Sequence, residues 1–344
     1  MTDDWGGKAV VEAPTPQTAG DSRAPATAGV AAPCVLVVDP IHETALRALR
    51  ERFDVVVRPR PSEAELLRLA EDADVIVMRS GVELTGEVIR AAPRLRLIAR
   101  AGVGVDNIDL DAARERGICA FNIPDVTSIS CAEFTFALLL AVARRVSLAD
   151  RQMRDNVWAK AELYGLELHG KTLGVVGVGR IGARVAAIGQ GFGMRTIGSV
   201  ANPSRQRRRA LARLGVELRD LDEILAEADV VSVHVPLTDA CRDLIGAPEL
   251  DRMKPSAYLV DVSRGGVVDE DALYEALHER RIAGAAKDVF VSEGARTRLA
   301  ELDNVVLTPH IGSMTHTAQE RVAGRLVEGI LNGLDGGRVR SRLC

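Results

Sequence analysis

Aromatic residues are scarce in this sequence, and its cysteines follow no regular spacing. Phe, Trp and Tyr make up 3% of the 344 residues, so a hydrophobic core must be built largely from Ala, Val, Leu and Ile. The cysteines are Cys34, Cys119, Cys131, Cys241 and Cys344. Their number is odd and no C-x-x-C pair occurs, which argues against a disulfide framework or a zinc site and favours a reducing compartment. We therefore expect no metal.

Long apolar runs and a strong charge of either sign are also missing. The longest largely apolar run, residues 134–142, is too short to cross a bilayer. The chain does not open with a basic segment followed by an apolar one, as a secretory signal does. A net charge of −4 gives no reason to expect a nucleic-acid partner. We therefore expect a cytoplasmic protein that binds neither membrane nor nucleic acid.

The length and the order of the predicted elements indicate two α/β domains. A chain of 344 residues exceeds the usual size of one domain. Short Val- and Ile-rich runs alternate with helical segments, which predicts parallel sheets covered on both faces. We predict two Rossmann-like or flavodoxin-like, doubly wound parallel-sheet domains with a cleft between them. Strands are predicted at residues 34–39, 54–58, 74–78, 95–99, 172–176, 195–200, 229–235, 257–262, 283–289 and 305–308.

Other segments have distinct predictions. Residues 1–33 are rich in Pro and Ala without apolar periodicity, which predicts a disordered leader. A single long helix over residues 130–157 is expected to bridge the two halves. A last helix over residues 317–331 is apolar on one face and should pack back on the first domain. Ser62 and Glu65 are spaced as a capping box at the start of a further helix. Helices are also predicted at residues 43–52 and 85–91.

A glycine-rich turn, GVGRIG at residues 177–182, follows the strand predicted at 172–176 and precedes a helix. Gly177 would permit the tight turn, Gly179 would let the backbone approach a pyrophosphate, and Gly182 would let helix pack on strand. The helix N-terminus would attract the phosphates. The motif predicts a bound dinucleotide, NAD or NADP; the alternative is an ordinary strand–helix turn.

The next strand does not end in the acidic residue that usually holds the adenosine ribose. Val200 and Asn202 stand there, followed by Arg205, Arg207, Arg208 and Arg209. Without a carboxylate, a 2′-phosphate would not be repelled, and an arginine could pair with it. The pattern favours NADP over NAD slightly. The alternative is that these arginines form only the solvated face of the next helix.

Three residues at successive predicted strand ends suit the reduction of a 2-oxo acid. His310 follows the strand at 305–308 and could donate a proton near neutral pH. Arg264, before two glycines, could hold a carboxylate and a carbonyl oxygen together. Glu293 could orient the imidazole and favour its protonated form. Each alone could be a surface charge. The other histidines are expected on the surface, except His234, which we expect to pack in the core.

These residues stand in segments that resemble the D-isomer-specific 2-hydroxyacid dehydrogenase family, and most of all its phosphoglycerate dehydrogenase branch. The similarity extends from residue 34 to about residue 331. It rests on RAGVGVDN at residues 100–107, the GVGRIG turn, SRGGVVDE at 263–270, DVF at 288–290 and PHIG at 309–312. Together these segments are far more specific than one glycine motif.

The resemblance implies a role for individual residues. His310 would be the acid/base, Glu293 its partner and Arg264 the substrate-binding arginine. The backbone at Val103 and Gly104 would hold the substrate carboxylate, and Arg79 with Ser80 would face the far end of an anionic substrate. The residues implied at the cofactor are Gly177, Gly179, Arg180, Ile181, Gly182, Val200, Val235, Val262, Ser263, Asp288 and Ser313.

The resemblance also implies a domain division and an assembly. Residues 34–126 with 315–340 would form the substrate domain, and residues 127–314 the dinucleotide-binding domain. The protein would be a homodimer formed through the second of these, with an active-site cleft that closes by domain motion. So little chain follows residue 331 that we expect no regulatory domain.

Three positions depart from the family pattern. Val200 replaces the ribose-binding acid, which puts a preference for NAD in question. Lys287 replaces the usual apolar residue before Asp288, which predicts a charge near the cofactor. Gly294 follows Glu293 where proline is usual, which predicts a looser loop. The chemistry could therefore serve glyoxylate, hydroxypyruvate, a branched or aromatic 2-oxo acid, or a phosphonate-type anion instead of a 3-phosphoglycerate-like acid. A second alternative is a non-catalytic, dinucleotide-sensing protein of the corepressor kind.

Overall fold

The structure is a computed structural model that describes residues 32–344. The predicted leader over residues 1–33 therefore lies outside the described residues, apart from its last two positions. Two parallel sheets are present, of five and seven strands. The predicted class, two doubly wound parallel-sheet units, is confirmed.

The first sheet has the order β2-β1-β3-β4-β5, and every pair in it is parallel. The chain builds outward from β1 in one direction and then crosses to β3, which makes the doubly wound arrangement. Strands β3 and β4 are buried at every position, as their continuous apolar runs predict. The elements are β1 (Cys34–Val37), α1 (Glu43–Arg50), β2 (Asp54–Val57), α2 (Glu63–Ala70), β3 (Val75–Met78), α3 (Gly86–Ala91), β4 (Leu97–Arg100), α4 (Leu110–Glu115) and β5 (Cys119–Phe121).

Side-chain caps begin the helices of this region. The Ser62 hydroxyl accepts a hydrogen bond from the backbone N–H of Glu65 at 3.3 Å, which satisfies one of the unpaired donors of the first turn. The capping box predicted here is only half formed, because α2 shows no return bond from the Glu65 side chain. Thr85 and Asp109 cap α3 and α4 in the same way.

The second sheet has the order β12-β11-β10-β9-β6-β7-β8, again parallel throughout. Its order reverses between β6 and β9, the type of position where ligands bind in open α/β sheets. Its elements are β6 (Thr172–Val176), α7 (Arg180–Gly191), β7 (Arg195–Ser199), α8 (Arg205–Arg213), β8 (Val216–Leu218), α9 (Leu221–Glu227), β9 (Val230–Val233), α10 (Ala247–Arg252), β10 (Tyr258–Asp261), α11 (Glu270–His278), β11 (Gly284–Lys287) and β12 (Val305–Leu307).

The single helix predicted over residues 130–157 is wrong, because the segment forms two helices. Helix α5 (Ser128–Ala143) packs against the second sheet and α7, whereas α6 (Val146–Arg154) buries no residue. Arg145 between them has a positive φ of 53°. Neither glycine nor proline marks the break, so local sequence signals could not reveal it.

The last helix, α12 (His316–Leu334), packs against α1 and β4 of the first sheet, as predicted. Val322, Leu326 and Ile330 bury its apolar face in a core shared with Val35 and Leu97. The chain thus returns to the first sheet after completing the second. Among residues 32–344, every helix is too short or too polar to cross a membrane.

Candidate active site

The carboxyl ends of both sheets open into one cleft with a volume of about 1030 Å³. Parallel strands bring their carboxyl ends to a single edge, where loops rather than strands carry the functional groups. Residues from both sheets and from α12 line this cleft. Ten of the residues predicted for the site are among them: Arg79, Ser80, Val103, Ile181, Val262, Arg264, Asp288, Glu293, His310 and Ser313.

His310 and Glu293 form a hydrogen-bonded pair at this edge. Nδ1 of the imidazole lies 2.5 Å from Oε1 of the carboxylate, and both side chains are partly exposed. A carboxylate that accepts from Nδ1 fixes the ring orientation and leaves Nε2 for another partner. The predicted pairing of these two side chains is therefore present, and the pair can deliver or accept one proton in the cleft.

The loop of His310 is held by Asp288, which is only 2% exposed. Its carboxylate accepts from the Thr308 hydroxyl at 2.6 Å and from the backbone N–H groups of Ile311 and Gly312 at 2.9 and 2.8 Å. His310 itself has a positive φ of 54°, a conformation that non-glycine residues adopt rarely and only when their surroundings fix it. Asp288 thus positions the imidazole, a role that the sequence did not indicate.

Arg264 faces the first sheet across the cleft. Its Nε donates to Asp106 Oδ1 at 3.3 Å, and its Nη1 donates to the Ser263 carbonyl at 2.7 Å. Gly104 lies so close that a Cβ there would overlap the guanidinium. The two groups predicted to hold the substrate carboxylate, Arg264 and the Gly104 backbone, are therefore in contact.

Another arginine of the cleft, Arg100, lies at the carboxyl end of the first sheet. Arg100 is 6% exposed, its Nε has no hydrogen-bond partner, and it forms no ion pair with any residue from 32 to 344. Burial, followed by the charges of Arg264 and Arg79, lowers its pKa to about 10, so the group stays charged at neutral pH. A buried guanidinium without an anion is costly, and this one lines the cleft.

Arg79 stands beside this group, and Asp39 holds its backbone. The buried carboxylate of Asp39 accepts from the Arg79 N–H at 2.6 Å. Gly81 leaves room for that carboxylate, because a Cβ at position 81 would overlap it. Burial also lowers the pKa of Arg79. Arg60, on the loop after β2, completes a set of cations on this side of the cleft.

The glycine-rich turn has the shape that the motif predicts. Gly177 adopts a φ of 93° and lies against Val235, and a Cβ at Gly182 would overlap the Gly177 carbonyl. Nothing lies within 4 Å of a Cβ built at Gly179, so the backbone there is open to a ligand. Helix α7 begins at Arg180, whose exposed side chain pairs with Asp125 at 2.8 Å. The turn therefore fits a pyrophosphate at a helix N-terminus.

The end of β7 presents no carboxylate. Val200 is half-buried against the core, and Arg207 donates to the Val178 carbonyl within the glycine-rich turn. Of the four arginines after β7, only Arg207 makes a side-chain hydrogen bond within the described chain. The interpretation of these arginines as a solvated face thus holds for Arg205, Arg208 and Arg209 but not for Arg207.

Two residues differ from what the sequence suggested. Lys287 does not place a charge at the cleft, because its ammonium is fully buried and pairs with Asp261 at 2.9 Å. Ser263 is 4% exposed and its hydroxyl donates to Asp261 at 2.6 Å, away from the cleft. The register of β10 and β11 pairs Asp261 with Lys287. The position of the lysine follows from this register and could not be predicted from the local sequence.

The histidines outside the site lie largely as expected. His169, His278 and His316 are exposed, and His42 caps α1. His234 directly follows β9 with its Nδ1 shielded from solvent and its Nε2 2.7 Å from the Ser232 hydroxyl. Burial lowers its pKa to about 4, so it is neutral near pH 7.

Arg60, Arg100 and Asp106 also line the cleft, although no motif in the sequence assigns them a role. Arg100 and Asp106 flank the GVG segment at residues 102–104, which drew attention to its backbone alone. Arg100 directly follows the apolar run predicted as a strand at residues 95–99, which was the signal available from the sequence; its burial and its missing partner follow only from packing. Arg60 lies on a loop without a motif and gave no signal.

Comparison with known proteins gives consistent matches. Residues 136–312 match the family model described as D-isomer specific 2-hydroxyacid dehydrogenase, NAD binding domain. The chain is 45% identical over 295 residues to a D-3-phosphoglycerate dehydrogenase of Methanocaldococcus jannaschii, covering 85% of this chain and 56% of that protein. It therefore spans little more than half the length of that relative.

Two other matches extend over nearly the whole of the compared protein. A hydroxypyruvate reductase of Thermotoga maritima is 40% identical over 306 residues, covering 87% of this chain and 98% of the relative. The crystal structure of the TT0316 protein from Thermus thermophilus superposes with a TM-score of 0.84 at 40% identity, covering 90% of this chain and 100% of that one.

Proposed function

The chain belongs to the D-isomer specific 2-hydroxyacid dehydrogenase family, and we propose that it interconverts a small anionic D-2-hydroxy acid and its 2-oxo acid with a nicotinamide dinucleotide. The observation that carries the proposal is the His310–Glu293 pair, which opens on a cleft also lined by Arg264 and by Ile181 of the glycine-rich segment. A proton donor, a carboxylate clamp and a dinucleotide cradle are the three parts that this reaction needs.

The residues of this chain have separate tasks in the proposed reaction. Arg264 and the backbone at Val103 and Gly104 bind the substrate carboxylate, and the guanidinium fork also polarises the adjacent carbonyl. Protonated His310 gives a proton to the carbonyl oxygen during reduction and takes it back during oxidation. Glu293 stabilises the imidazolium that this cycle requires.

The cofactor site is assigned to the turn between β6 and α7 and to the neighbouring strand ends. A bound nicotinamide dinucleotide would supply or accept the hydride. The groups proposed to hold it are Gly177, Gly179, Arg180, Ile181, Gly182, Val200, Val235, Val262, Asp288 and Ser313. We place NADP slightly ahead of NAD, because Val200 carries no charge and Arg207 lies against the turn.

The proposed substrate carries a second anionic group. Arg100 is buried without an anionic partner in the described chain, and Arg79 with Ser80 lies beside it on the cleft. A phosphate or second carboxylate would supply the missing charge. This favours a 3-phosphoglycerate-like acid over glyoxylate or hydroxypyruvate, while a phosphonate-type anion fits equally well. A non-catalytic dinucleotide sensor would have no need for the His310–Glu293 pair.

The domain division and the assembly are part of the proposal. Residues 34–126 with 315–340 would form the substrate domain and residues 127–314 the cofactor domain. We propose a cytoplasmic homodimer that uses the surface around α6. That helix buries none of its residues, while Trp158 and Tyr164 beyond it are 80% and 86% exposed. Large exposed apolar side chains grouped in this way mark an interaction surface.

The test is a binding measurement followed by turnover. NADPH and NADH are titrated against the purified protein, and loss of reduced-nicotinamide absorbance is then followed with phosphorylated and unphosphorylated 2-oxo acids. Oxidation that is fastest with a phosphorylated acid supports the full proposal. Tight cofactor binding without turnover on every acid would contradict the catalytic assignment and favour the sensor.

A further inference from the structure

A fully buried lysine lies directly behind the site and takes no part in the proposed chemistry. Lys287 ends β11 with 0% exposure, and its ammonium lies 2.9 Å from Asp261 Oδ2 and 3.8 Å from Glu270 Oε1. Asp261 is itself 1% exposed. A buried ion pair gives little net stability compared with apolar side chains of the same volume, because both charges lose their hydration. Stability alone therefore does not explain why an ion pair is buried here.

Asp261 connects this lysine to the loop of Arg264. Its other oxygen, Oδ1, accepts from the Ser263 N–H at 3.0 Å and from the Ser263 hydroxyl at 2.6 Å. The Ser263 carbonyl in turn accepts from Arg264 Nη1 at 2.7 Å. An unbroken series of hydrogen bonds thus runs from the ammonium to the guanidinium proposed to bind substrate.

Glu270 connects the same lysine to the loop of Glu293. It is the first residue of α11, and its Oε1 accepts from the Val291 N–H at 2.9 Å. Val291 lies two residues before Glu293. The two loops also touch directly, because a Cβ at Gly265 would overlap the Phe290 carbonyl. A change in one loop therefore shifts the other.

We infer that Lys287 is a positioning residue that holds the Arg264 loop and the Glu293 loop in register, through Asp261 and Glu270. The inference rests on the proposed function. Within the described chain, the ammonium is the one ionic group that both networks share, so its apolar replacement would leave only the direct contact of Gly265 with Phe290 between the two loops. Small displacements of groups that bind a substrate reduce its reaction strongly.

The test is a pair of charge-removing changes measured singly and together. Lys287→Met or Asp261→Asn alone leaves one buried charge without its partner, and we expect both to lower the unfolding midpoint. The double variant Lys287→Met/Asp261→Asn removes both charges and should recover the midpoint. It should nevertheless raise the KM for the preferred 2-oxo acid about tenfold, while the Kd for NADPH stays unchanged.

A second, less buried ion pair beside the same sheet provides a control. Lys254 Nζ lies 2.9 Å from Asp229 Oδ1, and Asp229 also accepts from a backbone N–H, that of Thr172. This pair lies at the amino ends of β9 and β10, away from the cleft. Lys254→Met/Asp229→Asn should leave the KM unchanged. An equal rise in KM would show that removing any ion pair of this sheet disturbs the site, and it would overturn the inference.

Binding of oxalate to the protein–NADPH complex, measured by calorimetry, gives a readout independent of turnover. Oxalate affinity should fall about tenfold in the double variant, and unchanged KM and affinity would overturn the positioning role. If the double variant does not fold, Glu270→Gln replaces it as the test, and we expect a smaller rise in KM. An unchanged KM in Glu270→Gln would also overturn the positioning role. A wild-type protein that neither binds oxalate nor reduces any oxo acid would remove the proposed function, and this inference with it.

Discussion

The carboxyl edges of the two sheets are built alike but hold different chemical groups. The first sheet presents arginines at this edge, Arg79 and Arg100, with Asp39 supporting the loop behind them. The second presents a glycine-rich turn and the hydrogen-bonded pair of His310 and Glu293. The same parallel-sheet geometry has thus produced one edge that only attracts anions and one that can also move a proton.

This difference separates recognition from chemistry in the proposed enzyme. A substrate lying in the cleft would be held at one end by the first sheet and would react at the second. Arg264 is the link, because it belongs to the second sheet and pairs with Asp106 of the first. Loss of the proton donor at the second edge should therefore nearly abolish the reaction, and changes at the first edge should alter which acids react.

The largest effect is expected from His310→Ala. Loss of the proposed proton donor should lower kcat by about 10²- to 10⁴-fold, while the Kd for NADPH, measured by fluorescence titration, stays within about twofold, because the imidazole is assigned to proton transfer and not to the dinucleotide. His316→Ala is the control, because this exposed histidine lies outside the proposed chemistry, at the start of α12. Turnover retained in His310→Ala would show that the second edge does not supply the proton.

Arg100→Met tests the first edge and should have the next largest effect. A hydrogen-bonded charged pair contributes about 1.5–3 kcal/mol, so kcat/KM for a phosphorylated 2-oxo acid should fall roughly 10- to 100-fold. Glyoxylate, which has no second anion, should lose far less. Arg96→Met at the opposite end of β4 is the control, since its side chain donates to the Leu334 carbonyl. Equal losses with both acids would place Arg100 outside the proposed subsite.

The two edges also differ in how far the sequence revealed them. The glycine turn, Arg264 and His310 stand in recognisable segments directly after apolar strands, and residue type with position was enough to select them. Arg100 needed knowledge of its burial and of the missing partner, which only packing provides. Asp288 was expected at the cofactor, and its bonds to the His310 loop depend on strand register that no local pattern contains.

The fold was predictable to a similar extent. Strands with long Val and Ile runs were placed to within a few residues, whereas β5 and β8, of three residues each, carry too little periodicity to be noticed. The break at Arg145 was missed because helix propensity continues through it. Lys287 was placed near the cofactor because its neighbour Asp288 faces the cleft, although successive strand residues face opposite sides of a sheet.

The third prediction concerns stability, which acid should affect through the second sheet. Burial lowers the pKa of His234 to about 4, below its value in an unfolded chain, so the unfolded state binds the additional proton as the pH falls through about 6.5. Stability should decline between pH 6.5 and pH 4, by roughly 2 kcal/mol at pH 5 relative to pH 7. His234→Gln should remove this decline in denaturant titrations at the two pH values.

Asp39 in the first sheet cannot cause the same loss. Burial raises its pKa, so the folded protein holds this proton more strongly than the unfolded chain, and its contribution to stability is largest in acid and lost as the pH rises through the folded pKa. The two regions therefore respond to acid with opposite sign. A decline that persists unchanged in His234→Gln would assign the acid sensitivity elsewhere.

The smallest effect is expected from Val200→Asp, within the second sheet. A carboxylate at the end of β7 would accept hydrogen bonds from the ribose hydroxyls of NAD and repel a 2′-phosphate. The ratio of kcat/KM for NADPH to that for NADH should fall about tenfold, equivalent to about 1.4 kcal/mol. Val200→Asn, of the same size but neutral, is the control and should change the ratio less.

Arg207→Gln tests whether an arginine attracts the 2′-phosphate, separately from the repulsion that a carboxylate at position 200 would add. Arg207 already donates to the Val178 carbonyl, so its guanidinium is held beside the turn whether or not a phosphate is present. If Arg207 pairs with a 2′-phosphate, Arg207→Gln should weaken the binding of NADPH and leave the binding of NADH unchanged. Loss of a purely structural contact should instead weaken the binding of both cofactors equally. A ratio that stays constant in Val200→Asp and in Arg207→Gln would mean that the ribose is recognised elsewhere. Residues other than those at the end of β7 would then determine the preference for NADPH or NADH.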